Sequence, residues 1–460
     1  MQFNAYIGYF VYVISVLISM NAYSQNEPWR IDQAIGLPAW LQLSVEHRTR
    51  YETLNEQYRA TVNGNPGNDS DQALVFRTLV HARADLDFMQ IGAEMMDSRI
   101  ELADAGSASS STRLTPTIAN PLELLQAYIE VLMNGIAVEG SQSLIRAGRI
   151  TMDIGSRRLV ARNRFRNTIN GFTGLDWQWE SEDTKIRAFY TLPVQRRVEG
   201  NILDNKPRFD EEDSKTRFWG VYYSQPLLSK VDEAEIFLFG LDENDSSEFT
   251  TKDRELYTFG LRFWRNPTAE KFDYQLETVY QLGESRKSKA STTTLDHWAH
   301  FHHVELGYSF NIPWSPRLVA QYDYASGDDD PNDGQNNRFD TLYGARRFDF
   351  GPTSIYGAFA RNNLHSPALR LKLNPSKTVK SMISLRGFWQ ASTADSWAPA
   401  GIKGNQAYIG TQIEAQLTWK LLPDNLQIEG GVAHLFAGDL MDQAGKNDTT
   451  YAYTQVTVKF

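Results

Sequence analysis

The sequence of 460 residues contains no cysteine. Disulfide bonds, thiolate metal sites and cysteine nucleophiles are therefore excluded together. A chain without cysteine also avoids mispaired disulfides if it passes through an oxidising compartment. A Gly-x-Ser-x-Gly elbow, a phosphate-cradling glycine loop and a helical metal motif are missing as well. The sequence therefore favours neither an enzyme nor a cofactor.

Long apolar runs are equally scarce, and the one present covers residues 7–20. At about 14 residues it is short for a transmembrane helix and suits the core of a signal peptide. Small residues at Ala22 and Ser24 predict cleavage after Ser24, so that residues 1–24 form a signal peptide and residues 25–39 a short periplasmic segment. No Lys or Arg precedes the run, and a membrane anchor is the alternative. Because no later segment approaches the length of a membrane helix, the mature chain could cross a membrane only with strands.

The net charge is -10 and the pI about 5.4, which excludes attraction of the whole molecule to nucleic acid or another polyanion. Aromatic residues make up 12% of the chain, yet the mean hydropathy is -0.45. This combination is typical of strands on which every second residue meets lipid and the others meet water. A soluble β-rich protein could give the same totals, so the order of the residues must decide.

Apolar and polar residues alternate with period two from end to end, which indicates strands. Leu74, Phe76 and Val80, for example, alternate with Arg77 and His81. The same pattern covers residues 40–51, 272–283, 317–324 and 378–390. These segments are about 9 to 14 residues long, as a tilted membrane-spanning strand requires, whereas soluble strands are shorter. The fold class predicted is all-β, a transmembrane antiparallel β-barrel over residues 40–460.

The lengths of the connections provide an independent test of the barrel. Long polar connections follow the odd-numbered candidate strands, as at 52–71, 104–120, 195–214 and 327–350. Short connections follow the even-numbered ones, as at 89–90, 181–183, 266–269 and 423–424. Barrels in outer membranes have such short periplasmic turns and long external loops. About 19 candidate strands can be marked, and assigning residues 352–361 to the preceding external loop restores the alternation and leaves about 18.

The last ten residues, YAYTQVTVKF, place Ala452, Thr454, Val456, Val458 and Phe460 on one face of a strand. A final Phe on an alternating strand is the ending that barrel-assembly machinery recognises in outer-membrane proteins. The simpler interpretation is an ordinary last strand of a soluble protein. Together with the signal peptide and the absence of cysteine, this ending favours the bacterial outer membrane.

Three stretches resemble the alginate export family of outer-membrane barrels. The first is RAGRITMDIGSRRLV at 146–160, which continues through Asn167 to GFTGL at 171–175. The second is YDYASGDDDPNDGQNNRFDTLYG at 322–344. The third begins near Gly357, includes Asn362, Asn363, Leu364 and Pro375, and ends in GGVAHLFAG at 430–438. The resemblance implies an 18-stranded barrel with an electropositive lumen that passes a polyuronate. It leaves the solute open, because such families also contain general and oligosaccharide porins.

The polar faces of the candidate strands are basic, although the whole chain is acidic. Arginine suits a path for sugar carboxylates because its planar group binds a carboxylate through two hydrogen bonds. Acidic residues between the arginines would keep each contact weak enough for transport. The predicted lumen residues are Arg48, Arg50, Arg77, Arg83, Arg146, Arg149, Arg158, Arg187, Arg317, Arg370, Lys372, Lys380, Arg386, Asp323 and Glu414.

For any single arginine in this set, pairing with a wall carboxylate is the alternative to contact with solute. Arg146 and Arg149 have opposite parity, so they cannot both face the lumen from a regular strand. Either one of them lies at the rim or a bulge separates them. Arg157 and Arg158 are predicted to belong to an external loop that folds inward.

Two further clusters could bind metal. Asp328, Asp329, Asp330 and Asp333 carry the hard oxygen ligands that Ca²⁺ accepts, but Pro331 occupies a ligand position, and a solvated acidic loop is favoured. His297, His300, His302 and His303 lie on or near one strand. His300 and His302 share a face with Trp298, which favours an external aromatic rim over a metal site.

These observations predict a porin through which an anionic polysaccharide such as alginate passes by passive, electrostatically guided diffusion. Its predicted surroundings are outer-membrane lipid and a possible periplasmic secretion partner, and a closed barrel can be a monomer. The first alternative is a porin for small anions or oligosaccharides. A surface adhesin or an outer-membrane hydrolase is the alternative from a different functional class.

Overall fold

The computed structural model describes residues 28–60, 70–103, 117–227 and 231–460. The predicted signal peptide, residues 1–24, lies outside this part of the chain. No helix among the described residues is long and apolar enough to cross a membrane. The helices are short: Ile31–Ala34, the 3₁₀ turn Ile202–Asp204, Arg347–Phe350 and Asp439–Gln443.

Twenty strands are described, and two of them, Glu211–Glu212 and Gln335–Asn336, have only two residues. The other 20 − 2 = 18 strands form one continuous sheet. In chain order they are β1 Leu41–Asn55, β2 Ser70–Leu86, β3 Met89–Glu101, β4 Asn120–Asn134, β5 Gln142–Ile150, β6 Phe172–Glu180, β7 Lys185–Gln195, β8 Thr216–Pro226, β9 Asp232–Glu243, β10 Glu255–Arg265, β11 Phe272–Arg286, β12 Thr294–Ser309, β13 Arg317–Ala325, β14 Leu364–Leu373, β15 Val379–Trp389, β16 Tyr408–Leu422, β17 Leu426–Ala437 and β18 Thr449–Lys459.

The sheet is a closed antiparallel barrel. Each of the 18 strands pairs with its neighbours in sequence, and β1 pairs with β18 from Glu46–Lys459 to Asn55–Thr450. Residues 352–361 contain no strand and belong to the connection between β13 and β14, as predicted. Eight of the nine connections after odd strands have 11 or more residues and every connection after an even strand has seven or fewer, which agrees with the predicted parity; the exception is the seven-residue connection between β11 and β12. The turn between β2 and β3 lies at Asp87 and Phe88, two residues before its predicted place.

Alternation along the strands separates a wet inner face from an apolar outer face. On β2, Arg77 and Leu79 are buried inside, whereas Val80 is 37% exposed on the outside. Leu282, Leu306 and other large apolar residues are likewise exposed on the outer wall. Because both faces of each strand are specified in this way, a register shift by one residue would bring charges into lipid.

Two long loops fold into the barrel instead of extending away from it. Loop L3 (residues 151–171) packs Met152, Ile154 and Leu159 against the inner wall in an apolar cluster. Loop L7 (residues 326–363) contributes Phe350 and Tyr356, with others, to a second apolar cluster. The buried core therefore lies inside the barrel, toward the end that carries the long loops.

The N-terminal segment lies at the opposite end of the barrel, where the short turns are. The backbone N–H of Trp29 donates to Asn425 Oδ1 at 2.9 Å in the turn between β16 and β17. The ring of Trp29 packs edge-on against Phe460, with 4.7 Å between centroids. The first barrel strand begins at Leu41, close to the predicted start of the barrel at residue 40.

Candidate functional site

A cavity of about 1250 Å³ lies inside the barrel and reaches the short turns. Strands β1, β2 and β13 to β18 supply its wall, and loops L3 and L7 supply residues on its inner side. Its lining contains 11 cationic and three acidic side chains. The cations are Arg48, Arg77, Arg157, Arg162, Arg164, Arg317, Arg347, Arg370, Lys372, Lys380 and Lys459, and the acids are Glu46, Glu414 and Glu429.

The most accessible of these arginines is on loop L3. The side chain of Arg164 is 75% exposed, and its one ion pair is a loose contact of 3.6 Å with Asp153. Arg162, by contrast, is held by Glu94 through contacts of 2.6 and 2.9 Å. Arg347 on loop L7 contacts Glu414 at 2.6 Å. Arg164 is therefore the L3 guanidinium best placed to meet a solute.

Three arginines of the wall hold loop L3 by its main chain. Arg48 donates to the carbonyl oxygens of Arg164 and Arg166 at 2.7 and 3.0 Å. Arg77 donates to the same two oxygens at 3.2 and 3.1 Å, and Arg50 donates to Phe165 O at 2.7 Å. All three guanidinium groups lie on the inner face, where much of their hydrogen-bonding capacity is used by the loop.

A buried ionic network joins both inner loops to the wall. Arg158 of L3 contacts Glu277 at 2.6 Å and Asp349 of L7 at 3.0 Å. Burial would lower the pKa of Arg158, but Asp349 and Glu277 reverse this effect and raise it above its ordinary value. Arg361 also pairs with Asp349. The network thus fixes L3 and L7 to β11 and to each other.

His303 and Asp323 extend the network to the far wall. Arg158 Nη2 and Gln275 Nε2 approach His303 Nε2 at 2.9 and 3.1 Å, so this nitrogen must accept. Its Nδ1 then donates to Asp323 Oδ1 at 2.7 Å, and Arg386 donates to Asp323 Oδ2 at 2.9 Å. Arg370 donates to the carbonyl oxygens of Phe348 and Asp349.

Three further predicted lumen arginines form local pairs. Arg83 contacts Asp85 at 3.1 Å, Arg187 contacts Asp176 at 2.6 Å, and Arg317 pairs with Asp273 and Glu305. Lys372 and Lys380 line the cavity, as does the predicted acid Glu414.

Arg146 and Arg149 both reach inward-facing acids. Arg146 pairs with Glu130, and Arg149 contacts Glu123 at 2.6 Å and Glu212 at 2.7 Å. Between them Gly148 has φ +126°, a conformation that L side chains rarely adopt. The pairing of β5 with β4 and β6 continues through Gly148 without a register shift, so the predicted bulge is not seen there, and the unusual backbone angle of Gly148 is what lies between the two arginines.

The acidic run of loop L7 does not converge on one point. Asp328 faces Lys287 at 3.4 Å, Asp330 Oδ1 accepts from the backbone of Asn332, and Asp333 Oδ1 accepts from the backbone of Gln335. Asp330 and Asp333 thus make the local contacts of an exposed loop, whereas Asp328 is buried, and this arrangement gives no support to the predicted calcium site.

Among the described residues one group of three metal-ligand side chains clusters: His303, Asp323 and Asp349. Arg158, Arg361 and Arg386 occupy its acceptor atoms, so the group suits an ion-pair network better than a cation. His300 and His302 lie on the outer face of β12, where their nitrogens approach to 3.0 Å and His300 stacks on Tyr324.

Sequence reasoning missed the loop cations Arg162, Arg164 and Arg347, and also Lys459 at the end of β18. Loops have no periodicity that would indicate which side chains face the lumen. A signal was nevertheless present, because five arginines fall within residues 157–166. So many arginines in a loop that is predicted to fold inward indicate that the loop contributes a cationic lining to the lumen.

Comparison with known proteins places the chain among outer-membrane porins. Crystal structures of Pseudomonas aeruginosa OccK9 (OpdG) and Acinetobacter baumannii OccAB1 each superpose with TM-score 0.58 at 10% identity, covering 91% of this chain and 98% and 96% of theirs. The structure of Pseudomonas aeruginosa OpdK with vanillate gives TM-score 0.55 at 11% identity, covering 91% and 98%. These likenesses concern the fold. A search of curated proteins gives no match, whereas the model of a family described as "Alginate export" matches residues 39–455.

Proposed function

The chain belongs to the alginate export family, and we propose that it passes an anionic polysaccharide such as alginate across the outer membrane. The family and the fold make it a multi-pass outer-membrane β-barrel porin. Passage would be passive and guided by charge, without a cofactor. The identity of the solute is the part that we propose.

The excess of cations in the lumen is the observation that carries this proposal. A polyuronate bears one carboxylate on each sugar, and 11 cationic side chains against three acidic ones line the cavity. Guanidinium groups bind carboxylates through two parallel hydrogen bonds and keep their charge when partly buried. A chain of carboxylates would therefore exchange between neighbouring cations.

Passage also requires that no single contact be strong. Arg162 and Arg347 are already paired with Glu94 and Glu414, so a solute carboxylate must compete with a resident acid. The charge of the wall arginines reaches the lumen, but loop carbonyls hold their N–H groups. Multiple weak sites of this kind allow a polyanion to enter and to leave.

Single-channel recording in planar bilayers tests the proposed solute. We expect polyuronate at low concentration to block the current and a neutral polysaccharide of equal length to leave it unchanged. Arg164→Gln should weaken the block by about tenfold, as expected for the loss of roughly 1.4 kcal/mol of binding. Arg217→Gln, which alters an exposed pair with Asp242 on the outer wall, is the control and should leave the block unchanged. Equal block by both polymers would contradict the proposal.

A porin for small organic anions is the second candidate. Loops L3 and L7 both lie inside the barrel and narrow its lumen. A narrow lumen admits a single small anion more readily than a polymer. OpdK, which shares the fold, was solved with vanillate. Indifference to polyuronate together with an open anion conductance would favour this candidate.

A further inference from the structure

A second cavity, of about 200 Å³, lies at the end of the barrel that carries the long loops. Its wall combines loop L5 (residues 244–254), loop L6 (287–293), loop L7 and loop L8 (390–407) with the ends of β11 and β12. The cavity shares no lining residue with the central cavity and is therefore a separate site. Its charged lining residues are Lys252, Arg254, Lys287, Arg338, Asp328 and Asp340.

Three of the four basic side chains have carboxylate partners: the pairs are Arg254–Asp340 at 2.8 Å, Lys287–Asp328 at 3.4 Å and Arg338–Asp395. Lys252 is the exception, because its ammonium group forms no ion pair or hydrogen bond with a described residue. Burial lowers the pKa of Lys252, and the attraction of Asp340 opposes this effect. Lys252 therefore gives the cavity a positive charge that lacks a fixed partner in the described part of the chain.

Three buried polar atoms in the same lining also have no hydrogen-bond partner among the described residues: His297 Nε2, Asp328 Oδ1 and Asn362 Oδ1. His297 and Asp328 are only 4% and 3% exposed. Buried polar atoms are nearly always hydrogen-bonded, because an unsatisfied one costs free energy. Three such atoms around one cavity therefore indicate that it receives a polar ligand.

The hydrogen-bonding character of these atoms indicates which groups the ligand carries. Ser285 Oγ accepts from Asn336 Nδ2 at 2.8 Å and can donate its own proton to His297 Nδ1, which is 3.5 Å away. The Nε2 of His297 then holds the ring proton and is a donor. Asp328 Oδ1 and Asn362 Oδ1 are acceptors. The cavity thus presents donors and acceptors beside an ammonium group, which suits a ligand with several hydroxyl groups and a negative charge.

We propose that this cavity binds one sugar unit that carries a carboxylate. Lys252 binds the carboxylate, and Asp328 and Asn362 accept hydrogen bonds from the hydroxyl groups. The volume is below the range of about 300–1000 Å³ that is usual for drug-sized ligands, which suits a single sugar better than an oligosaccharide. Lys287 in the lining has a side chain that is 49% exposed, so the cavity can be reached from solvent. The proposal rests on the proposed function, because it gives a terminal uronate of the transported polymer a site at the outer mouth of the pore.

Isothermal titration calorimetry of the purified protein in detergent tests the site with glucuronate, glucose and acetate as probes. The wild type should bind glucuronate about tenfold more tightly than glucose, which lacks the carboxylate, and than acetate, which lacks the hydroxyl groups. Lys252→Gln should weaken the binding of glucuronate about tenfold and abolish its advantage over glucose. The same change should not lower the melting temperature, because it breaks no ion pair. Lys289→Gln, which alters an exposed lysine of L6 outside the lining, is the control and should bind glucuronate as the wild type does.

A second variant tests the hydroxyl contacts. Asn362→Ala should weaken the binding of glucuronate and of glucose by the same factor, because it leaves the site of the carboxylate intact. The proposal is overturned if acetate or glucose binds as tightly as glucuronate, or if Lys252→Gln and Lys289→Gln bind glucuronate equally well. Failure of all three probes to bind, as expected of a cavity that holds water alone, overturns it too.

Arg164→Gln separates this site from the proposed transport. It should weaken the block of the current by polyuronate and leave the Lys252-dependent binding of glucuronate unchanged. Binding of glucuronate that depends on Lys252, without block by polyuronate, would support this site and contradict the proposed solute. Block without such binding would support the proposed solute and overturn this site.

Discussion

The arginines inside this barrel differ in their partners, and the partner decides what each can do. Arg158 is neutralised by two buried carboxylates, Arg48 is bound to loop carbonyls, and Arg164 is mostly exposed. Their side chains are chemically identical and lie within one lumen. An exposed arginine such as Arg164 is the kind that offers N–H groups to a solute. The number of arginines in the lumen is therefore larger than the number of binding sites.

We predict that Arg48 and Arg164 act differently on loop L3. Arg48→Gln removes charge-assisted hydrogen bonds to Arg164 O and Arg166 O and should reduce the local stability of L3 by about 1–3 kcal/mol. Arg164→Gln keeps these carbonyl contacts and should leave L3 unchanged. Hydrogen exchange of residues 151–171 measures the difference. Equal protection in both variants would show that the wall does not position the loop.

Through its buried ion pairs, Arg158 contributes to the stability of the folded protein. Arg158→Gln would remove the cation that pairs with both Glu277 and Asp349, leaving Arg361 as the arginine on Asp349, and should lower the free energy of unfolding by about 3–5 kcal/mol. Arg217→Gln breaks an exposed pair with Asp242 and should cost about 0–1 kcal/mol. Denaturant unfolding in detergent compares the two variants. A small loss for Arg158→Gln would mean that the loops are held by other contacts.

The backbone conformation of strand β5 depends on one glycine, Gly148. A Cβ at Gly148 would lie 2.3 Å from Ala127 O, and the backbone there has φ +126°. Gly148→Ala should therefore destabilise the barrel by about 1–3 kcal/mol or more. Gly430→Ala in β17 is the matched control, since its Cβ would meet only Tyr453 O at 3.6 Å, and it should change stability by about 0.5 kcal/mol or less. The measurement is denaturant unfolding, and tolerance of both changes would refute the irregularity in β5.

Loop L7 should lose stability only in acid. Burial alone would raise the pKa of Asp340, yet Arg254 and the backbone N–H of Leu342 hold it at about 2. Because this pKa lies below the unfolded value of about 3.9, the contribution is complete above about pH 4 and disappears as the pH falls toward about 2. The difference in melting temperature between wild type and Asp340→Asn should be constant from about pH 8 to 5 and shrink below about pH 4.

Asp330→Asn, an exposed change in the same loop, is the control for this pH dependence. It should give a small difference at every pH. A difference between wild type and Asp340→Asn that already shrinks between about pH 8 and 6 would contradict the assignment, because Asp340 does not titrate there.

The strands could be predicted from the sequence because each strand has its own alternation of apolar and polar residues. Period-two alternation on β2 places Arg77 inside and Val80 outside, and the parity of the connections identifies residues 352–361 as part of L7. Register and closure follow from these patterns. The opposite parity of Arg146 and Arg149 left two alternatives, a position at the rim or a bulge, and the backbone angle at Gly148 was not predicted, because a glycine alone does not fix a backbone angle.

The loops could not be predicted in the same detail. The contact between Arg48 and Arg164 O joins residues 116 positions apart and involves a main-chain oxygen, which has no signature in the sequence. The pairing of Arg158 with Asp349 spans 191 positions and depends on how two loops fold against each other. For this reason the lumen arginines of the wall could be named in advance, whereas their partners and the exposed Arg164 could not.

Positive and negative charges are distributed unevenly over this protein. The chain carries a net charge of -10, yet the lining of its central cavity contains 11 cations and three acids. The excess of acid therefore lies elsewhere, in part in the loops. A low-dielectric wall around this lining focuses the positive potential along the lumen. The barrel as a whole should therefore prefer anions, whatever their size.

The reversal potential of single channels in a gradient of KCl measures this preference, since it depends on the charge of the lumen and not on a particular solute. We expect a potential of the sign that indicates preference for chloride, and a smaller one at high salt because screening weakens the field of the lumen. A reversal potential of the opposite sign, indicating preference for potassium, would contradict the electropositive lumen on which the proposed function rests.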